Sequence, residues 1–181
     1  NKTLVEQSID KHFPDDPSIK AAIMSQIQKE NDTFDPDRIE DTSSPNKGIG
    51  LFQFTDLYDK KKKKIVPGQR DSLNRWLYDN NKENTIDNQM EYFKKITTTN
   101  DKDWAAKYHN IGEGNRNHIR NSFANGSAAK ISHELSSRFE KFKGYQGNTS
   151  RKKLADKLEL KYYSQQSDKD QKSLPPYNKM Y

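Results

Sequence analysis

The stretch GIGLFQF, residues 48–54, is the part of this sequence from which the fold can be interpreted. Its two glycines, Gly48 and Gly50, allow the backbone to turn tightly and to approach a ligand closely. Gln53 both donates and accepts hydrogen bonds, which suits hydroxyl and N-acetyl groups. As an isolated pattern GxGLxQ is weak, and a glycine turn with Leu51 and Phe52 packed inward has the same sequence.

A helix that ends at Glu30 precedes this turn. Asp16 is a good N-cap, Pro17 suits the first helical position, and apolar residues recur at helical spacing up to Glu30. Burial and the partially negative end of the helix both disfavour a carboxylate anion, so we expect a raised pKa for Glu30. A carboxylic acid that keeps its proton near neutral pH can protonate a glycosidic oxygen. The alternative is an ordinary exposed glutamate at a helix end.

Two aspartates are candidates for a second catalytic carboxylate. Asp41 lies in the acidic loop before the glycine turn, and Asp56 lies just after it. Either could hold a water molecule on the far face of a sugar, as an inverting mechanism requires, with the two carboxyl groups roughly 6.5–9.5 Å apart. The alternative for each is a turn-forming or capping role.

A second glycine turn follows Tyr108 and contains Asn110, Gly112 and Gly114. The phenol of Tyr108 could hydrogen-bond to a catalytic acid, and the glycines allow another close approach to a ligand. Alone, this pattern is also typical of a helix C-cap. We interpret His109 as lining the cleft or as merely exposed.

The rest of the chain predicts an all-α fold with a small irregular or β-hairpin segment near residues 48–68. We assign residues 1–143 to one domain and residues 144–181, which are polar, to a C-terminal extension or linker. The further predicted helices are Arg70–Tyr78, Thr85–Ile96, a short helix capped by Asn100 or Asp101, one containing Ile119 and Phe123, and one from Ala128 to Phe142 capped by Ser127.

Composition limits the classes of protein that the chain can belong to. Hydrophobic residues make up 30% and charged residues 32% of the 181 residues, so the core must be thin and partly aromatic. The absence of cysteine excludes disulfides and cysteine metal sites. No apolar run reaches the roughly 20 residues that span a bilayer, and we expect no metal and no cofactor. The N-terminus has neither a signal peptide nor a starting methionine, so we expect a module of a longer or processed protein.

The charge is distributed unevenly along the sequence. Residues 1–60 contain seven Lys or Arg and twelve Asp or Glu, whereas residues 61–181 contain 25 and 14. A basic surface attracts nucleic acid, anionic membrane or anionic cell-wall polymer alike. No nucleic-acid-binding motif is present, so we expect no nucleic-acid partner. The run Lys60–Lys64 is interpreted as a solvated loop.

Taken together, the motifs resemble those of the phage tail lysozyme family, which shares its fold with goose-type lysozymes and soluble lytic transglycosylases. The resemblance covers roughly residues 17–125. It implies that Glu30 is the catalytic acid, and that the aspartates of goose-type enzymes fall near Asp41 and Asp56. The residues that it implies for binding substrate in the cleft or for supporting the acid are Gly48, Gly50, Gln53, Phe54, Tyr108 and Asn110. Asn31 stands where the family has serine, which we expect to loosen the orientation of the acid, and His109 resembles an insertion. The residues that carry the resemblance are Glu30, Phe34, Asp35, Pro36, residues 48–54, Arg70, Leu73, Trp76, Gln89, Tyr92 and Phe93.

The resemblance implies cleavage of the β-1,4 bond between N-acetylmuramic acid and N-acetylglucosamine in peptidoglycan. A hydrolase would use Asp41 or Asp56 to activate water, and we favour this version. A lytic transglycosylase would need no second carboxylate and would leave an anhydro sugar. The alternatives are a non-catalytic wall-binding or tail structural module and, more distantly, a helical nucleic-acid-binding protein. The expected location is a virion tail acting at the host wall, or conjugation or secretion machinery, with peptidoglycan, anionic wall polymers and other virion proteins as partners.

Overall fold

The computed structural model describes residues 1–14, 16–40, 47–108, 111–139 and 145–173. Over these residues the chain is helical apart from one small hairpin, which confirms the predicted fold class. No described helix combines the length and the apolar character needed to cross a bilayer. The elements are α1 Lys2–His12, α2 Pro17–Glu30, β1 Leu57–Asp59, β2 Lys64–Val66, α3 Gln69–Asp79, α4 Ile86–Thr98, α5 Lys102–Tyr108, α6 Glu113–Asn125, α7 Ala128–Glu134, the π-helix Leu135–Phe139 and α8 Tyr145–Ser173.

Three helices begin at side-chain caps, and the sequence predicts two of these caps, Asp16 and Ser127. The Asp16 carboxylate accepts a hydrogen bond from the Ile19 backbone N–H at 2.9 Å, and Pro17 occupies the first position of α2. Thr85 caps α4 and Ser127 caps α7 in the same way. A side-chain acceptor at this position satisfies one of the N–H groups that the first turn of a helix leaves without a partner. Helix α1 is an addition to the predicted helices.

The core is aromatic, as the composition predicts. The rings of Phe52 and Phe93 stack with their centroids 4.1 Å apart and their planes inclined by 4°. Phe139 meets Phe93 edge-on at 5.1 Å. Ring pairs of this kind contribute about 0.5–1.5 kcal/mol beyond the area they bury, which matters in a chain with few aliphatic side chains.

Helix α8 packs along α2 and α7 and contributes to the same core as the rest of the chain. Ala155, Leu158 and Tyr162 are buried there, and Arg151 is buried beside them. Our sequence analysis placed these residues in an extension. The apolar residues of α8 recur only every three or four positions, so the segment is polar on average although one face of the helix is buried.

The hairpin follows the GxGLxQ turn directly. Leu57 pairs with Val66, Tyr58 with Ile65 and Asp59 with Lys64. The loop between the strands consists of Lys60–Lys63, and all the lysines of the 60–64 run are exposed. The predicted solvated loop is therefore the exposed tip of a β-hairpin.

Candidate active site

Glu30 is the last residue of α2, and its side chain is 23% exposed. The following residue ends the helix, since the Asn31 backbone N–H donates to the Ile27 carbonyl at 2.7 Å while its φ and ψ leave the helical region. The predicted end of the helix at Glu30 is thus confirmed, and the Glu30 carboxylate is within reach of solvent.

Asn31 connects this helix end to the glycine turn. It is fully buried, and its amide N–H groups donate to the Asp35 carbonyl at 2.6 Å and the Gly50 carbonyl at 3.1 Å. Its side-chain oxygen accepts hydrogen bonds from the Thr33 hydroxyl and the Asp35 N–H. Four hydrogen bonds therefore hold the Asn31 side chain, and the looser orientation that we expect for Glu30 stays a prediction.

The turn at residues 48–54 is closed by short-range hydrogen bonds. Ile49 and Phe54 exchange two backbone hydrogen bonds at 3.0 and 2.9 Å. The Gln53 amide donates to the Gly50 carbonyl at 2.7 Å, so Gly50 receives hydrogen bonds from both Gln53 and Asn31. The Gln53 side-chain oxygen is buried and has no hydrogen-bond partner among the described residues. A buried acceptor without a partner is costly, and a donor on a ligand would remove that cost.

Both glycines of this turn are required by their surroundings. Gly50 has a φ of +78°, and a Cβ there would lie 2.4 Å from the Gln89 side-chain oxygen. A Cβ at Gly48 would lie 2.9 Å from the Gln53 Cβ. We expected the two glycines to let a ligand approach the backbone. The side chains of Gln53 and Gln89 occupy part of that space.

Gln89 supports the turn and was given no role by the sequence analysis. It is fully buried in α4, accepts a hydrogen bond from the Leu51 N–H at 2.8 Å and donates to the Pro36 carbonyl and to Asn84, both at 2.7 Å. The sequence feature that could have indicated this role is a glutamine on the apolar face of a predicted helix, next to Met90. Such a buried amide must find partners, and here the partners are loop groups around the site.

The predicted role of Phe54 requires correction. Its ring is fully buried and lies edge-on to Tyr92 and Phe139, at 5.6 and 6.0 Å between centroids. The side chain therefore belongs to the core beneath the turn and does not form part of a surface that a substrate could contact.

Arg151 of α8 contacts Glu30. Its guanidinium donates a hydrogen bond to Glu30 Oε1 and is 6% exposed, so the ion pair is partly shielded from water. An adjacent guanidinium favours the ionised form of a carboxylate. This contact opposes the rise in pKa that we predicted from burial and the helix end. Sequence reasoning missed Arg151 because it lies in the segment that we assigned to an extension.

Of the two candidate aspartates, the structure describes Asp56. Asp56 Oδ1 accepts hydrogen bonds from the backbone N–H groups of Gly68 at 3.0 Å and Asp71 at 2.9 Å, so it caps the first turn of α3. Asp41 lies outside the described residues. Among the residues that are described, no group of three or more histidine, aspartate or glutamate side chains forms a metal site.

Tyr108 is tied to α3 and not to Glu30, which corrects the predicted support of the acid. Its hydroxyl donates to Asp79 Oδ2 at 2.7 Å, and Lys107 pairs with the same oxygen at 2.8 Å. The hydrogen bonds from Lys107 and Tyr108 lower the pKa of the Asp79 carboxyl. Burial raises the pKa of Tyr92, whose protonated hydroxyl donates to the Tyr108 carbonyl at 3.2 Å.

The second glycine turn is only partly described. His109 and Asn110 lie outside the described residues, so the predicted contact of Asn110 with substrate stays a prediction. Gly112 caps α6 and Gly114 lies in its first turn. A Cβ at either position would meet no atom of the described part of the chain within 4 Å, so packing against those residues does not require glycine there.

The fold is the one expected of an all-α, lysozyme-like protein. A family model described as phage tail lysozyme matches residues 16–162, which is most of the chain. The chain therefore belongs to the phage tail lysozyme family, which suggests a peptidoglycan-lytic function and a phage-tail-associated location. No curated protein and no solved structure matches it.

Proposed function

We propose that this protein hydrolyses the β-1,4 bond between N-acetylmuramic acid and N-acetylglucosamine in peptidoglycan, with Glu30 as the general acid. The observation that carries the proposal is the connection at the end of α2, where buried Asn31, the residue after Glu30, donates a hydrogen bond to Gly50 in the turn that contains Gln53. Membership of a family with a lytic function supports the choice of substrate. In this proposal Glu30 protonates the leaving oxygen of the glycosidic bond.

Gln53 is proposed to bind the substrate through its side-chain oxygen. This atom is buried without a hydrogen-bond partner among the described residues, while the amide N–H of the same side chain is already used by Gly50. An N–H or O–H group of an amino sugar would supply the missing donor. Gly48 and Gly50 then act indirectly, because they allow the backbone around Gln53 to adopt its conformation.

The water-activating carboxylate is proposed to be Asp41. Asp56 already accepts two backbone hydrogen bonds at the start of α3, which accounts for an aspartate at that position. Substitution by asparagine separates the two candidates, since asparagine keeps an acceptor oxygen and can still cap α3. Asp41→Asn should abolish hydrolysis, and Asp56→Asn should retain most of it. Loss of activity in folded Asp56→Asn, with Asp41→Asn active, would reverse the assignment.

Mass spectrometry of the released muropeptides tests the reaction type. Hydrolysis adds water across the bond, whereas a lytic transglycosylase uses a hydroxyl of the substrate and leaves an anhydro sugar that is one water lighter. The proposal predicts hydrated products from purified walls. Anhydro products would assign the lytic transglycosylase reaction and would remove the need for Asp41.

One contact favours a second candidate, a non-catalytic wall-binding module. Because Arg151 favours the ionised form of Glu30, a permanent ion pair would leave no proton to donate. Such a module would bind purified walls without releasing any soluble fragment.

For the catalytic proposal, we place the activity at the host wall, within a virion tail or within related conjugation or secretion machinery.

A further inference from the structure

The hairpin tip presents five consecutive lysines to solvent. Lys60–Lys64 are all exposed, and among the described residues the ion pair recorded for this run joins Lys62 to Asp59 at 3.9 Å. The run lies on a hairpin that follows the turn of the proposed active site. Its positive charge is therefore concentrated at one exposed hairpin tip.

The tip is held in a defined conformation. Asp59 Oδ1 accepts hydrogen bonds from the backbone N–H groups of Lys61 at 2.9 Å and Lys62 at 3.1 Å. Lys63 has a φ of +49°, a conformation that glycine adopts without strain and other residues adopt at a cost. A glycine would relieve that strain but would remove one positive charge. Such strain is a reason to look for a function at this position.

An apolar pair lies next to the lysines. Tyr58 and Ile65 are paired across the two strands and so point to the same face of the hairpin. Their exposed fractions are 39% and 47%, respectively. The hairpin therefore combines a row of cations with a small apolar surface, which suits a flexible chain that carries phosphates along an aliphatic backbone.

We propose that the hairpin tip, defined as Lys60–Lys64 with Tyr58 and Ile65, binds a phosphodiester-linked polymer of the bacterial wall, of the teichoic acid class. The proposal rests on the proposed function, because it assumes that the protein acts at a cell wall. Lysine ammonium groups bind phosphates as point charges. A single-stranded nucleic acid would need several aromatic side chains to stack its bases, and the hairpin offers Tyr58 alone. The bound polymer would hold the active site close to the glycan strands.

Cosedimentation with purified walls tests this surface. The test variant carries Lys60→Gln, Lys61→Gln, Lys62→Gln and Lys64→Gln, and keeps Lys63 with its unusual φ. The matched control replaces four exposed lysines of α8 by glutamine, at positions 152, 153, 157 and 161, so both variants have the same net charge. Each is compared with the wild type on intact walls and on walls stripped of phosphate polymers by hydrofluoric acid.

We expect the wild type to bind intact walls at least about tenfold more tightly than stripped walls, with an affinity that falls as salt is raised. The hairpin variant should lose this preference and much of the salt dependence, because fewer counterions are released. The α8 control should stay within about twofold of the wild type, since its lysines lie elsewhere.

Three results would overturn the proposal. They are equal binding of the wild type to intact and stripped walls, an equal loss of affinity in the α8 control, and tighter binding of the hairpin to DNA or to anionic vesicles than to the wall polymer. Cleavage of stripped peptidoglycan is measured separately. The hairpin variant should cleave it like the wild type, so a wild type that cleaves nothing contradicts the proposed function, while the sedimentation result still decides whether the hairpin binds.

Discussion

The two glycine turns of this protein look alike in sequence and differ in structure. In the first, Gly48 and Gly50 have no room for a Cβ, because Gln53 and Gln89 lie within 3 Å of where it would be. In the second, a Cβ at Gly112 or Gly114 would meet no atom of the described residues within 4 Å. The first pair of glycines is thus explained by packing, whereas packing among the described residues does not explain the second pair.

Two carboxylates, Glu30 near the first turn and Asp79 beside Tyr108, differ in the residues that contact them. Glu30 contacts Arg151, whose side chain is buried, and its neighbour Asn31 is fully hydrogen-bonded. Asp79 lies at the surface, where it accepts hydrogen bonds from Tyr108 and Lys107. Positions near Glu30 should therefore respond to substitution with large losses of stability, and positions near Asp79 with small ones.

The largest effect is expected for Gly50→Ala. A methyl group there would meet the Gln89 side-chain oxygen, and alanine at a φ of +78° is strained in addition. We expect a loss of about 2–4 kcal/mol in the free energy of unfolding, measured by urea denaturation. Gly114→Ala is the control, because it adds a methyl group in open space within a helix, and it should change stability by less than about 1 kcal/mol. Equal losses in the two variants would show that the turns do not differ as described.

Arg151→Gln should have an intermediate effect. It leaves Glu30 without its buried cationic partner, which we expect to cost about 1–3 kcal/mol of stability, less than for a fully buried pair because Glu30 is partly exposed. The protonated form of Glu30 should become easier to reach, so the activity should extend to higher pH.

Arg75→Gln provides the comparison for the Arg151 variant. Arg75 pairs with Asp71 at the surface, and such pairs contribute at most about 1 kcal/mol. Its pH–activity profile should match that of the wild type. An unchanged profile in Arg151→Gln as well would mean that Arg151 does not govern the protonation of Glu30.

The smallest effect is expected for Asp79→Asn, and it should depend on pH. The pKa of Asp79 is lowered from its usual 3.8 in the folded protein, chiefly by Lys107 and then by Tyr108. A lowered pKa stabilises the fold above the unfolded value and loses this contribution as pH falls through the folded value. The melting temperatures of wild type and variant should therefore differ slightly at pH 7 and converge as the pH falls below 3.8 and through the lowered pKa of Asp79 in the folded protein. A difference that persists at low pH would point to lost packing rather than lost charge.

The sequence predicted most of the helices because their caps and apolar spacing are local. Asp16, Thr85 and Ser127 each cap the helix that follows. The partners of the site residues could not be predicted in this way. Arg151 reaches Glu30 only because α8 packs on α2, and Tyr108 reaches Asp79 because α5 packs on α3. Such pairs depend on helix packing, which spacing within a single helix does not determine.

The central claim is that Glu30 donates the proton that breaks the glycan strand, and Glu30→Gln tests it most directly. Glutamine keeps the size and polarity of the side chain but has no acidic proton, and Glu83→Gln makes the same change at an exposed glutamate. The measurement is the rate at which a suspension of purified walls clears. We predict that the wild type and Glu83→Gln clear it alike and that Glu30→Gln is at least about 100-fold slower. Equal clearing by Glu30→Gln would contradict the claim.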